Sequence, residues 1–172
     1  MYRPLNRLDR DTSGAVLVAK NRFAAATVTN NFHKTYQAIL DGIPPQMEGR
    51  VDAPIRREFP EEMRRIVADD GQRAVTNYRV LAQSGNLSLV DFVLETGRTH
   101  QIRVQFASRG MPLVGERKYS TLDDGCELAL WSREIAFDHP VSGARMTFSR
   151  LPPETRPWTR FQIEKGEQNE PL

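Results

Sequence analysis

Cysteine is nearly absent from this 172-residue chain, with Cys126 standing alone. A single thiol makes no internal disulfide, and with three scattered histidines it offers no zinc-ligand spacing, so a disulfide-stapled scaffold is excluded and no metal site is expected. Long hydrophobic runs are also missing. Those such as residues 15–19 fall far short of the roughly 20 apolar residues of a membrane helix, so no bilayer-spanning segment is expected. Met1-Tyr2-Arg3-Pro4 leads straight into polar sequence, without the apolar middle and small-residue cleavage site of a secretory signal. A cytoplasmic location is expected. Nor is there a large excess of either charge: 24 Lys and Arg face 22 Asp and Glu, for a pI near 8.9. Such a balance permits a nucleic-acid partner without requiring one.

What is present suits one compact domain. Apolar residues make up 39% and charged residues 27%, which is the balance of a chain that folds. Arginine greatly outnumbers lysine, and its planar fork of donors grips two phosphate oxygens at once, although solvated surface arginines satisfy the same composition.

Residues 15–19 form a continuous apolar run that predicts a central strand buried on both faces. A helix is predicted within residues 22–32 and a strand over residues 35–40, ended by Asp41-Gly42. A short edge strand around Pro54 is expected, then a charge-dense surface excursion from 56 to 73. Residues 74–81 and 87–95 read as an antiparallel hairpin about Ser84-Gly85-Asn86. A short helix is predicted over residues 99–109, with Thr99 as its cap and Gly110 as its stop. Further strand-like pieces lie near residues 128–131, 134–137 and 144–148, and the polar tail at 164–172 is expected to fray. The expected architecture is α+β, a mixed and largely antiparallel sheet with a few short helices, with one domain over residues 1–163.

Three segments could carry chemistry. Asp9 stands between Arg7 and Arg10, in a polar stretch with Thr12, Ser13 and Gly14 that runs into the apolar segment. Nearby cations would keep such a carboxylate ionised, and donors in the Thr12-Ser13-Gly14 turn would aim it, which makes a nucleophile. On spacing alone, a solvated turn with surface ion pairs accounts for it more readily. The second segment, Thr96 to Arg103, gathers Arg98, His100, Gln101 and Arg103 at a strand-to-helix junction, suited either to a phosphate or to presenting an arginine to a carboxylate elsewhere. His100 and Gln101 read more simply as satisfied structural polar groups. Tyr36 is third: its ring can stack on a base and its hydroxyl can bond, though most strand tyrosines simply pack.

Taken in order, these segments resemble the RluA-type family of pseudouridine synthases. Arg7-Leu8-Asp9-Arg10-Asp11-Thr12-Ser13-Gly14 is similar to the family's catalytic-aspartate motif. Lys34-Thr35-Tyr36-Gln37-Ala38 resembles its active-site tyrosine strand, and Gly97-Arg98-Thr99-His100-Gln101-Ile102-Arg103-Val104 resembles its third motif. Residues 110–119 resemble the segment that follows. The resemblance runs from about Leu5 to Phe148.

It implies an enzyme that isomerises a uridine in structured RNA, ribosomal or transfer, without a cofactor. The N1 to C1′ bond breaks, the uracil turns, and it rejoins through C5. Carried over, Asp9 is the nucleophile, Arg103 the cation paired with it, and Tyr36 lies against the base as the proton acceptor. Arg7 enters the RNA stack where the uridine has left it, and Arg10 and Arg98 join it as RNA-binding residues. Attack at C1′, attack at C6, and assisted departure of the base all stay open.

There are departures. Asn6 and Gln105 stand where the family often has histidine, and only Met1 to Asn6 precede the aspartate motif; the loss of a strand there would bare a sheet edge and part of the core, so an incomplete domain or dependence on a partner is expected. Two alternatives follow: a catalytically silent RNA-binding or remodelling protein derived from the family, and, setting the resemblance aside, an aspartate-nucleophile hydrolase of small substrates.

Overall fold

The computed structural model describes residues 2–29, 31–122 and 124–161, so the expected tail lies outside the described residues. Short pieces come first: β1 (Arg3–Pro4), β2 (Ser13–Gly14), β3 (Val18–Ala19) and helix α1 (Arg22–Val28). Asn21 starts α1, because its side chain accepts the Ala24 amide and so satisfies a donor that the helix leaves bare.

A seven-stranded sheet follows, built around β4 (Phe32–Asp41). β5 (Glu48–Asp52), β8 (Val75–Ser84) and β9 (Leu87–Leu94) stack on one side of β4. β10 (Leu130–Asp138) and β11 (Arg145–Ser149) stack on the other. All these pairings are antiparallel; β2 joins β10 in parallel, which makes the sheet mixed. β6 (Ile55–Arg57) and β7 (Arg65–Val67) make a separate hairpin within the charge-dense excursion. With α2 (Gln101–Ala107) and a single 3-10 turn at Trp158–Arg160, the α+β class with few short helices holds. Among the described residues no helix is long and apolar enough to cross a membrane.

Alternation along β4 explains its central place. Tyr36, Ala38 and Leu40 face a core completed by Val90, Phe92, Leu113 and the α2 residues Ile102 and Phe106, while Ile39 faces a second core with Leu89, Val114 and Trp158. Ile102 and Phe106 are four residues apart and so share one helix face. Phe106 meets Phe92 edge-on at 4.9 Å, and truncating it to alanine would cost about 3–5 kcal/mol.

Three local expectations are corrected. The run at 15–19 is not a central strand: Val16 is 48% and Val18 43% exposed. Its backbone is shared between two partners instead. Ser132 takes the Ala15 amide, while Asn6 Oδ1 takes the Leu17 amide at 2.7 Å and Leu5 bonds the Leu17 carbonyl. The edge strand stops at Asp52, and Pro54 lies at the corner leading into β6. Thr99 does not cap α2, because His100 occupies the capping position in a left-handed conformation (φ 56°) without a side-chain cap bond. Gln101 instead ties down the turn before the helix, its Oε1 accepting from the Arg98 amide and the Thr96 hydroxyl and its own backbone amide donating to the Arg98 carbonyl.

Candidate active site

The loop carrying Asp9 is tethered at both ends. Leu8 packs on the main core, Asn6 bridges to the far arm through Leu17, and Ser13 and Gly14 pair with Trp131 and Ser132 of β10. Gly14 has φ 119°, and a Cβ there would run into the Ser132 backbone, so glycine is required for this approach. The loop's own turn is closed by the Thr12 amide, which donates to the Asp9 carbonyl at 3.0 Å.

Asp9 opens into a cleft of about 390 Å³, within the range of small-ligand sites. Tyr36 from β4, Arg98 and His100 from the turn after β9, Arg103 from α2, and Arg7 beside Asp9 all line it. The segments that the sequence singles out therefore meet. Arg10 does not line this cleft; its side chain is almost fully exposed and binds Asp11 at 3.0 Å.

The expected Asp9–Arg103 pair needs correction. The buried guanidinium of Arg103 bonds Glu116, Nε to Oε2 at 2.6 Å and Nη2 to Oε1 at 2.8 Å. Asp9 acts on it through space. Burial opposes the Arg103 charge, but the Glu116 bond and the Glu116 and Asp9 charges outweigh burial and hold its pKa above the usual range. The basic group within 4.0 Å of the Asp9 carboxylate among the described residues is instead His100, with Nε2 4.0 Å from Oδ2. Nor do the Thr12-Ser13-Gly14 donors aim the carboxylate. The Thr12 hydroxyl is buried on the cleft wall with no hydrogen-bond partner among the described residues.

Tyr36 belongs to both core and cleft. Burial, and then the negative charge of Asp9, push its phenol up to about 12, so at neutral pH it stays protonated. It is therefore a donor and a poor base. Lys34, also lining the cleft, has its pKa lowered by burial. Gln101 is the structural polar group expected of it, donating to the Val75 carbonyl and the Thr76 hydroxyl. Gln105 is equally well satisfied, bonding Ala53, Ala74 and Thr76.

Sequence reasoning passed over Glu116, Tyr119 and Lys34, and gave His100 only a structural part. The one signal for Glu116 and Tyr119 was their place in the segment 110–119. Among the described residues no three His, Cys, Asp or Glu side chains gather as a metal site would need.

Comparison with known proteins agrees with this geometry. A family model described as RNA pseudouridylate synthase matches residues 1–108. An uncharacterized RNA pseudouridine synthase of Bacillus subtilis is 42% identical over 150 residues, covering 84% of this chain and 53% of that protein. The ribosomal large subunit pseudouridine synthase D of Zymomonas mobilis is 35% identical over 167 residues, covering 87% of this chain and 52% of that protein. The chain thus spans about half the length of the curated relatives it matches. In fold it resembles human RNA pseudouridylate synthase domain containing 1, with a TM-score of 0.77 at 24% identity over 90% of this chain and 71% of that one. With the aspartate, tyrosine and arginine segments brought to one cleft in a chain matched over residues 1–108, this protein belongs to the RNA pseudouridylate synthase family.

Proposed function

We propose that the chain isomerises a uridine to pseudouridine in structured RNA, with Asp9 as the nucleophile and no cofactor. The observation that carries it is the convergence of Asp9, Tyr36 and Arg103 on one cleft, with the exposed Arg7 and Arg98 also lining it. A uracil inside a helix is out of reach, so it must be extruded at a cost of about a few kcal/mol, and Arg7 fills the gap it leaves. Arg98 binds phosphate, as its fork of donors suits. Arg10 contributes at longer range from outside the cleft.

In the cleft the uracil rests against Tyr36, and the unpartnered Thr12 hydroxyl is free to bond the nucleotide. Arg103 stabilises the ionised carboxylate beforehand; on attack at C1′ the Asp9–C1′ bond forms as N1–C1′ breaks, the freed uracil turns, and C5 then bonds C1′ and releases the carboxylate. The C5 proton then has to leave. Tyr36 relays it: the phenol oxygen takes the C5 proton as its hydroxyl passes its own to solvent, since burial and the charge of Asp9 keep the phenol protonated.

One relative is named for the large ribosomal subunit, which supports ribosomal RNA as the substrate, with transfer RNA the other class to assay. Work in the cytoplasm, where the single thiol of Cys126 stays reduced, is part of this proposal.

Tritium release from [5-³H]uridine RNA tests it. The wild-type chain is expected to turn over, while Asp9→Asn loses more than about a thousandfold and still binds RNA. Full turnover by Asp9→Asn refutes the catalytic assignment. Salt-sensitive RNA binding by a wild-type chain that releases nothing points to the silent RNA-binding alternative.

A further inference from the structure

His100 is held from three directions. Its backbone is left-handed, a conformation that a residue with a Cβ keeps only when its surroundings demand it. Its Nδ1 lies 2.6 Å from the Tyr119 hydroxyl, and its Nε2 faces Asp9 Oδ2 at 4.0 Å. Tyr119 is fixed in turn: the backbone amide of Arg65 in β7 donates to its oxygen at 3.1 Å, and its ring lies 5.7 Å from the Arg103 guanidinium carbon.

The proton positions follow from donor and acceptor counting. The amide of Arg65 can only donate, so the phenol accepts there and has its own single proton left for another partner. Among the described residues the partner within reach is His100 Nδ1, which must then be the acceptor. The remaining imidazole proton sits on Nε2, the nitrogen turned toward Asp9. The opposite tautomer would strand the phenolic proton and point a nitrogen lone pair at a carboxylate. Both ends of the ring therefore select the same form.

Resting on the assignment of Asp9 as nucleophile, we propose that His100 is a positioning residue. It is a neutral imidazole, locked by Tyr119 as the Nε2–H tautomer, and directs that N–H at Asp9 Oδ2 so that the other carboxylate oxygen is the one aimed at the nucleotide. The groups facing it are Asp9 from the loop before β2, Arg103 from α2, and Glu116, Lys118 and Tyr119 from the segment after α2. Burial, with Arg103 and Lys118, outweighs the attraction of Asp9 and Glu116 and lowers its pKa, which keeps the ring neutral at pH 7.

Two measurements on the full chain test this. With ¹⁵N-histidine labelling, long-range ¹H–¹⁵N spectra at pH 7 should show His100 as Nε2–H, its signals identified by their loss in His100→Gln. Tyr119→Phe should scramble the tautomer, and Asp9→Asn should shift its nitrogens. A protonated or Nδ1–H ring, or spectra unmoved by both substitutions, overturns the proposal.

In tritium release, His100→Asn suits the left-handed backbone but is too short to reach Asp9, so kcat should fall roughly ten- to a hundredfold with KM little changed. Tyr119→Phe should lower kcat in the same way. His100→Gln places an amide N–H near the Nε2 position and should restore most of the loss. An active wild type matched by His100→Asn and Tyr119→Phe overturns only the role of His100. A wild type that releases no tritium from any RNA overturns Asp9 as nucleophile, and the role of His100 with it.

Discussion

Arg103 and Glu116 face each other as fork and carboxylate, at 2.6 and 2.8 Å, with both side chains closed off from water. Glu116 Oε1 also accepts the amides of Lys118 and Tyr119, so the anchor itself is fixed and the guanidinium has no freedom to swing. The cation beside the Asp9 cleft is thus positioned by a carboxylate that does not itself line that cleft.

Removing one member should be worse than removing both. Arg103→Met leaves the Glu116 charge buried and unpaired, and should cost about 3–5 kcal/mol in urea unfolding. The double variant Arg103→Met with Glu116→Leu should recover most of that stability while tritium release stays low, since Asp9 has lost its neighbouring cation. Recovery of turnover with stability would argue against any electrostatic role for Arg103.

Tyr36→Phe keeps the ring in the core and removes the hydroxyl. RNA affinity should stay about the same, whereas kcat should drop by roughly 10² to 10⁴ if the phenol moves a proton. An unchanged kcat would reduce Tyr36 to a stacking surface.

Gly14→Ala should damage the site without touching it. The added methyl meets the Ser132 backbone at φ 119°, so β2 must separate from β10 and the Asp9 loop must shift. Lower thermal stability and a fall in kcat are expected together; a fully active, equally stable variant would show that the loop is placed by something else.

Stability should also depend on pH through His100. Burial, with Arg103 and Lys118, pulls its folded-state pKa below the ordinary 6.5, so the unfolded chain takes up this proton first as pH falls. The contribution is complete above 6.5 and is lost as the pH drops from there toward the folded value. Urea midpoints at pH 7.5 and 5.5 should therefore differ more for wild type than for His100→Gln. Equal differences would mean that the ring titrates normally.

Arg98→Gln should weaken RNA binding and reduce the slope of log affinity against log salt by about one, as expected for the loss of one phosphate contact, whereas Arg7→Gln, which removes the side chain that fills the stack, should weaken binding with a smaller change of slope. An unaltered slope for Arg98→Gln would move the RNA path elsewhere.

Local signals were readable in the chain, and distant pairings were not. The β8–β9 hairpin follows from a glycine turn between alternating residues, and α2 from Ile102 and Phe106 with a stop at Gly110. β10 reads as two pieces because its register with β4 shifts between Ser132 and Glu134. The apolar run at 15–19 misleads because hydrophobic content alone does not say which partners take its amides. The convergence on the Asp9 cleft is legible only through resemblance. Glu116 and His100 escape because their roles depend on partners 13, 19 and 91 residues away.

The parallel pairing of Ser13 and Gly14 with Trp131 and Ser132 ties the reactive loop to a strand more than a hundred residues downstream. During synthesis that strand leaves the ribosome long after Asp9 does. A growing chain therefore leaves the Asp9 loop without its β10 partner until most of this sheet has been made.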